Sequence, residues 1–246
     1  MLTFLRKIRK SLIGSGGVRK YILYAVGEVL LVMIGILLAL QVNNWNENNK
    51  NNHRKKELLN AVYHEFTVNK SKLDKIASEH TKCILSADEI LKMFPIDSKD
   101  VNLDTLRNRL IRATGNWTFE ASQSRINFLI NSSDFNLIEE SELKSVLLSW
   151  ESIYEDYHED EQRAMDFNFD VYFPYFQKHF PYDLDFNNPR FDRSILETME
   201  FESIIHRRWR HLKDILYNET NELEVLRSTI DKIIELTEPY VKHELK

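Results

Sequence analysis

Two pairs of acidic and histidine residues come closest to a metal-binding pattern. Glu155 and His158 form a Glu-x-x-His motif, which in di-iron helical bundles supplies two ligands from one helical turn. Such sites need two copies of the motif, and the other candidate pair, Glu202 with His206, is spaced by four residues rather than three. We therefore interpret the acidic run at residues 155–161 as a solvated helix face, and we predict no metal site and no cofactor.

A basic cluster at residues 206–211 is the best candidate for binding phosphate or anionic lipid. Trp209 in its middle falls on an apolar stripe, so we interpret the flanking charges as the solvated rim of that stripe. The sequence contains no glycine-rich phosphate loop, nucleophile elbow or metalloprotease helix motif. These observations predict a protein that is not an enzyme.

Nine aromatic residues are concentrated between Phe167 and Phe186. One interpretation is an exposed patch around Pro174 that binds a partner, since large exposed apolar patches mark interaction sites. The other is that the rings cap the end of a helical bundle. The residues that the first interpretation assigns to the partner patch are Tyr172, Phe173, Tyr175 and Phe176.

Residues 21–42 form a long apolar stretch in which Glu28 is the single acidic or basic side chain. As a helix rising 1.5 Å per residue, it would span the roughly 30 Å hydrocarbon core of a bilayer. A buried helix of a soluble protein and a cleavable signal peptide are the alternatives, but the stretch is longer than the usual apolar region of a signal peptide. We predict an uncleaved transmembrane signal-anchor.

Charge divides sharply along the chain. Residues 1–20 carry six basic and no acidic side chains, whereas residues 43–246 carry 27 basic and 37 acidic ones. The positive-inside rule then predicts a basic cytoplasmic tail at 1–20, a transmembrane helix at 21–42 in the inner membrane, a polar linker at 43–52 and a periplasmic domain at 53–246. An acidic distal domain also argues against nucleic acid as a partner.

One face of the apolar stretch is suited to contact with another helix. Spacings of three and four place five residues on a common seam, namely Ala25, Glu28, Val32, Gly35 and Ala39. We hypothesise a homo-oligomer in which Glu28 is protonated or hydrogen-bonded at this seam. The alternatives are that Glu28 extends toward the basic residues and lipid headgroups, or that it has a proton-coupled role.

Six glycines and five prolines are few for 246 residues, which predicts an all-α fold. We expect a long helix from about His53 that Pro95 closes, with an apolar stripe at spacings of three and four from Leu59 to Phe94 in which only Asn69 and His80 are polar. Two short helices should follow at 103–113 and 119–130, and Gly115 divides them. The single cysteine, Cys83, excludes an intramolecular disulfide.

Two further long elements are expected in the second half of the chain. One should run from about Glu139 toward Phe180 with a kink at Pro174, and the residues at 181–189 should form a loop. The other should be a single helix over 193–243 in unbroken heptad register. Together these helices predict an elongated antiparallel bundle with coiled-coil-like packing.

The run from Lys20 to Glu47, which includes GEVLLVMIGILLALQVNNWNE, resembles the N-terminal signature of a family of unknown function. Its members are small single-pass membrane proteins of Bacteroidota. Weaker similarity continues at residues 55–57 and 132–138, where the family often has Gly in place of Asp134. The resemblance implies an inner-membrane anchor with a periplasmic helical domain, and it implies no reaction, ligand or catalytic residue.

The functional prediction is a membrane-anchored interaction or scaffold protein of the cell envelope. Its expected partners are the lipid bilayer, further copies of itself and an unidentified envelope protein. The alternative is an extracytoplasmic sensor or accessory subunit. Because a tail of 20 residues is too short for a transmitter domain, such a sensor would act through a separate membrane partner.

Overall fold

The computed structural model describes residues 18–241, and this part of the chain is helical and contains no β-strand. Short 3₁₀ turns lie between some of the helices. In chain order the α-helices are α1 (Val18–Leu91), α2 (Leu103–Ala113), α3 (Ser124–Ile130), α4 (Ser141–Phe167), α5 (Phe173–His179), α6 (Met199–Tyr217) and α7 (Glu222–Thr237). The prediction of an all-α fold is therefore confirmed.

The chain divides into two compact units between Arg54 and Lys55. In the first unit, α1 exposes apolar side chains around its whole circumference, since the consecutive residues Leu31, Val32, Met33 and Ile34 are 74%, 58%, 51% and 55% exposed. Among the described residues this is the one helix long and apolar enough to cross a membrane. The second unit contains the buried core of the protein.

Helix α1 continues through the polar segment 43–52 without a break. The expected helix start near His53 is therefore wrong. The segment is rich in asparagine, which costs a helix up to about 0.7 kcal/mol per residue relative to alanine. However, no glycine or proline occurs between Gly35 and Pro95, and adding a residue to an existing helix is far easier than starting one.

The apolar stripe predicted for this helix faces the core of the second unit. Phe66 packs edge-on against Trp150 of α4, with ring centroids 4.7 Å apart. Helix α4 also packs against α6 and α7, which contact each other. The buried members of the stripe are Leu59, Val62, Phe66, Asn69, Leu73, His80, Cys83, Ala87 and Ile90.

Helix α2 has the predicted bounds, but α3 begins at Ser124 instead of Phe119. Residues 115–123 are not helical, although Phe119 in their middle is fully buried. Gly115 lies two residues after the end of α2, at a position where there is no room for a side chain. A Cβ atom there would overlap the Trp117 ring and lie 2.8 Å from the Cys83 sulfur.

The third long element contains an irregularity just before Pro174. A π-helical segment, Asn168–Tyr172, joins α4 to α5, and Pro174 lies in the first turn of α5. Proline has no N–H to donate, so the first turn of a helix is where it fits without losing a hydrogen bond. The residues after Phe180 form turns, as predicted.

The last segment is two helices, so the prediction of one unbroken helix is wrong. Asn218–Asn221 separate α6 from α7, and Asn221 adopts a left-handed conformation with φ 54°. Asparagine tolerates this conformation better than most residues. The Asn218 side chain accepts a hydrogen bond from the Glu222 N–H at 3.0 Å, which caps the start of α7.

Candidate functional site

One concave site of the second unit lies beside the π-helical segment. It is a cavity of about 570 Å³, within the range of about 300–1,000 Å³ that is usual for small-molecule sites. Most of its wall is aromatic, and Thr114 and Gln177 add polar groups. The aromatic members of the wall are Phe169, Tyr172, Phe173, Phe176, Phe180 and Tyr182.

The predicted partner residues divide between the cavity and the core. Tyr172 and Tyr175 are buried, whereas Phe173 and Phe176 are half-buried. Tyr172, Phe173 and Phe176 line the cavity, and Tyr175 does not. Tyr172 and Phe176 stack with centroids 4.4 Å apart, which fixes the inner wall.

The outer edge of the cavity is open to solvent. Phe169 is 59% exposed and Tyr182 is fully exposed. Phe180, in contrast, is buried and packs against Phe176, with ring centroids 4.6 Å apart. The cavity therefore has fixed aromatic walls on its inner side and exposed rings at its entrance.

A buried cation lies behind the cavity wall. Arg208 of α6 is 1% exposed, and its Nε donates a hydrogen bond to the Ala113 carbonyl at 2.9 Å. Its Nη2 donates to the Gly115 carbonyl, so the guanidinium holds the backbone on both sides of Thr114. No carboxylate of the described residues lies within ion-pair distance of it. The positive charge instead interacts with carbonyls at the end of α2, where the helix dipole is negative.

The electrostatics of the wall follow from this burial. Burial raises the pKa of Tyr172, while the Thr114 hydroxyl and the charge of Arg208 act in the opposite direction. Burial also lowers the pKa of Arg208. Thr114 is half-buried and donates its own hydroxyl hydrogen to the Leu110 carbonyl at 2.6 Å. The Thr114 oxygen can therefore act only as an acceptor, and the buried Tyr172 hydroxyl is the neighbouring group that interacts with it.

Two polar side chains of α1 hold the non-helical segment 115–123 and the start of α3. Asn69, fully buried, forms two hydrogen bonds with the backbone of Ser122, at 2.8 and 2.9 Å. The Glu65 carboxylate accepts from the backbone N–H groups of Arg125 and Ile126 at 3.0 and 3.1 Å. It also accepts from the Ser122 and Ser124 hydroxyls. These bonds satisfy backbone groups that would otherwise be buried without partners.

A second buried pair fixes the middle of the same segment. Glu161 of α4 is 1% exposed, and one of its carboxylate oxygens lies 3.2 Å from His80 Nε2. Its other oxygen accepts the Phe119 N–H at 2.8 Å. Burial raises the pKa of the adjacent Tyr157, and the negative charge of Glu161 adds to that effect.

Two interpretations of charged runs are wrong in part, because the runs contain buried members as well as the exposed ones that the interpretations predicted. Asp160 and Glu161 belong to the acidic run but are 7% and 1% exposed, and Arg208 belongs to the basic run but is buried. Each is inside because it bonds to backbone or side-chain groups from distant parts of the chain, such as Asn218, which donates to Asp160 at 2.8 Å. Helical periodicity does not reveal such partners.

No group of three or more His, Cys, Asp or Glu side chains within residues 18–241 is placed to hold a metal ion. Glu155 is exposed, and His158 instead stacks on Tyr154 with centroids 5.5 Å apart. Glu202 and His206 lie on α6, where His206 contacts Trp209 edge-on.

The predicted transmembrane seam lies entirely on α1. Ala25 and Glu28 are half-buried within the described structure, and Val32, Gly35 and Ala39 are exposed. A Cβ atom at Gly35 would have nothing within 4 Å, and the same is true of Gly27, which lies off the seam. The basic tail at residues 1–17 lies outside the described residues.

These features define an all-helical class of protein. One of its helices is apolar enough to cross a membrane, and a separate helical unit contains an aromatic cavity. Residues 28–161 match a family of unknown function, DUF6090. Because that match covers more than half of the chain, the protein belongs to this family. No curated protein and no solved structure matches the chain.

Proposed function

We propose that this protein is a membrane-anchored interaction or scaffold protein of the cell envelope. The observation that carries the proposal is the exposed apolar surface of α1 over residues 22–42, which the rest of residues 18–241 leaves uncovered. An exposed apolar surface of this extent needs lipid or another apolar partner. A bilayer fits, because a helix satisfies its own backbone hydrogen bonds in hydrocarbon.

Charge along the chain favours one orientation in the membrane, and the spacing of buried residues favours one packing of the helices. The six basic residues of the tail favour a cytoplasmic N-terminus, which would place the acidic helical domain in the periplasm. The similar buried stripes on α1, α6 and α7 support an antiparallel bundle with heptad-like packing. Fusing a periplasm-dependent reporter enzyme to the C-terminus tests the orientation. Activity is expected, and an inactive but stable fusion would contradict it.

Self-association through the seam is the mode of interaction that α1 supports best. Gly35 offers open space for a neighbouring backbone, and small residues allow transmembrane helices to approach closely. The full chain in detergent micelles should therefore be an oligomer by light scattering. Gly35→Leu and Glu28→Leu should reduce its mass, because the first blocks the close approach of the helices and the second removes the polar contact.

Gly27→Leu is the matched control for this experiment. It adds the same bulk to the same helix at an equally open position that is off the seam. The proposal predicts that this variant keeps the parental mass. If Gly35→Leu and Glu28→Leu both leave the particle mass unchanged, the seam does not mediate association.

A second candidate function is an extracytoplasmic sensor or accessory subunit, and the aromatic cavity favours it. Crosslinking in native membranes separates the two functions. Crosslinks between copies alone would favour the scaffold, and one recurrent histidine kinase or transporter would favour the sensor.

A further inference from the structure

We propose that a second copy of this chain packs along the asparagine-rich segment of α1, with Asn46 and Asn49 of the two copies hydrogen-bonded across the interface. This inference rests on the self-association proposed for the seam, and it extends that contact beyond the apolar stretch. Every residue in it belongs to α1 and to the first of the two units. The polar contact would fix how the two copies align.

The spacing of the seam continues without interruption into the polar segment. The seam alternates steps of three and four residues along the chain. The next positions in the same alternation are Val42, Asn46 and Asn49, and helix α1 has no break before or between them. Such a repeat keeps one face of a helix toward a partner helix over several turns. The seam and the two asparagines therefore lie along one face of α1.

The side chains of this segment are uncovered within the described part of the chain. Residues 43–50 are exposed on every side of the helix, and Val42 is 64% exposed. Seven of the ten residues from 43 to 52 are asparagine, which is one of the poorer helix formers. A helix that is polar on all sides gains little from its own packing. A partner that pairs with its side chains would therefore stabilise it.

The chemistry of asparagine selects a second copy of the same helix. Its side-chain amide both donates and accepts hydrogen bonds, so two asparagines at the same level of two parallel helices can pair with each other. In parallel coiled coils, an asparagine at such a core position fixes the register and the number of helices. Two copies anchored in one membrane through the same helix are parallel, so each Asn46 meets its counterpart in the other copy.

Two residues beside this face fit the same arrangement. In a parallel coiled coil, the residue just before a core position lies opposite the residue five places later on the other helix. Trp45 and Lys50 stand in this relation, and both are exposed, Trp45 by 67%. A Lys ammonium over a Trp ring is a favourable contact. The flanks of the interface would therefore add an attraction between the two copies.

The test is disulfide crosslinking of the full chain in detergent micelles, with Cys83→Ala removing the native thiol. In this background Asn46→Cys and Asn49→Cys should form disulfide-linked dimers on oxidation, because facing core positions bring the two Cβ atoms close together. Asn44→Cys and Asn48→Cys are the matched controls, since both are exposed asparagines of the same helix that lie off this face. Their rate of dimer formation should be at least about 5-fold lower.

A charge at the core position tests the contact without a disulfide. Asn46→Lys places two like charges opposite each other, so it should raise the dissociation constant of the oligomer at least about 10-fold. Light scattering over a dilution series measures this change. Asn44→Lys adds the same charge on the outer face of the helix and should keep the parental dissociation constant.

Two sets of results would overturn the inference, and they differ in what else they overturn. One is a parental oligomer that Gly35→Leu dissociates, but in which the four cysteine positions crosslink at equal rates or Asn46→Lys and Asn44→Lys associate equally well. This result removes the asparagine contact and leaves the seam in place. The other is a parental chain that is monomeric, which removes the seam as well.

Discussion

Removing the Glu65 carboxylate should destabilise the helical domain more than any surface change on the same helix. Glu65 is 8% exposed and accepts backbone hydrogen bonds from Arg125 and Ile126 at the start of α3. Glu65→Ala leaves these N–H groups without their acceptor, at a cost of about 1–3 kcal/mol each. It also removes the cap of α3, worth about 1 kcal/mol. Because these terms overlap, we expect a total loss of about 3–5 kcal/mol.

The assay is thermal or urea unfolding of the full chain in detergent micelles, followed by tryptophan fluorescence. Trp150 is 1% exposed and reports directly on the core. For a domain of this size, the expected loss corresponds to a decrease in Tm of roughly 6–20 °C. Glu65→Gln keeps the shape of the side chain but removes its negative charge, so it should lower the free energy of unfolding by about 1.5–3 kcal/mol.

Glu79→Ala is the control on the same helix. Glu79 forms only a surface ion pair with Lys82, three residues on, so its loss should change stability by about 0–0.5 kcal/mol. If Glu65→Ala falls within about 1 kcal/mol of this control, the carboxylate does not hold α3 in the way the hydrogen bonds indicate.

Two further predictions concern buried ionisable groups. Arg208→Met should lower the free energy of unfolding by about 2–4 kcal/mol, because it leaves the carbonyls of Ala113 and Gly115 unpaired. Arg210→Met, at an exposed position, should lower it by less than about 0.5 kcal/mol. Equal unfolding midpoints of the two variants would refute this prediction. Burial raises the pKa of the Cys83 thiol from 9.0 to about 11. Between these two pH values the folded thiol keeps its proton, whereas the unfolded thiol loses it. The free energy of unfolding should therefore decrease as the pH rises from 9.0 to about 11. At pH 8 the raised pKa alone lowers the thiolate fraction about 100-fold, and the thiol is also buried, so iodoacetamide should react at least about 100-fold more slowly with folded than with urea-unfolded protein. A folded rate within about 10-fold of the unfolded rate would contradict this.

Helical periodicity was sufficient to predict which face of α1 is buried, but not what its two polar positions do. Asn69 and His80 interrupt an otherwise apolar stripe, and the structure explains both by the non-helical segment 115–123. Asn69 binds the backbone of Ser122, and His80 pairs with Glu161, which holds Phe119. These contacts join residues 42 to 81 positions apart, so no local pattern could reveal them.

The same limit explains the break between α6 and α7. No glycine or proline marks it, and the apolar spacing continues across it because each helix keeps its own stripe. The break depends on Asn218, which caps α7 and donates to Asp160 of α4. For the cavity, the sequence predicted a concentration of aromatic residues. It could not predict that Arg208 would hold the backbone on either side of Thr114, 93–95 positions away.

The claim on which the proposed role depends is that the apolar part of α1 stays in a membrane as part of the mature chain. Fractionating cells that produce the full chain, washing the membranes with alkaline carbonate and measuring intact mass in each fraction tests it directly. We predict a chain of about 29.3 kDa that remains in the carbonate-washed pellet. Recovery in the soluble fraction, or a mature form that begins after Asn43, would contradict the account.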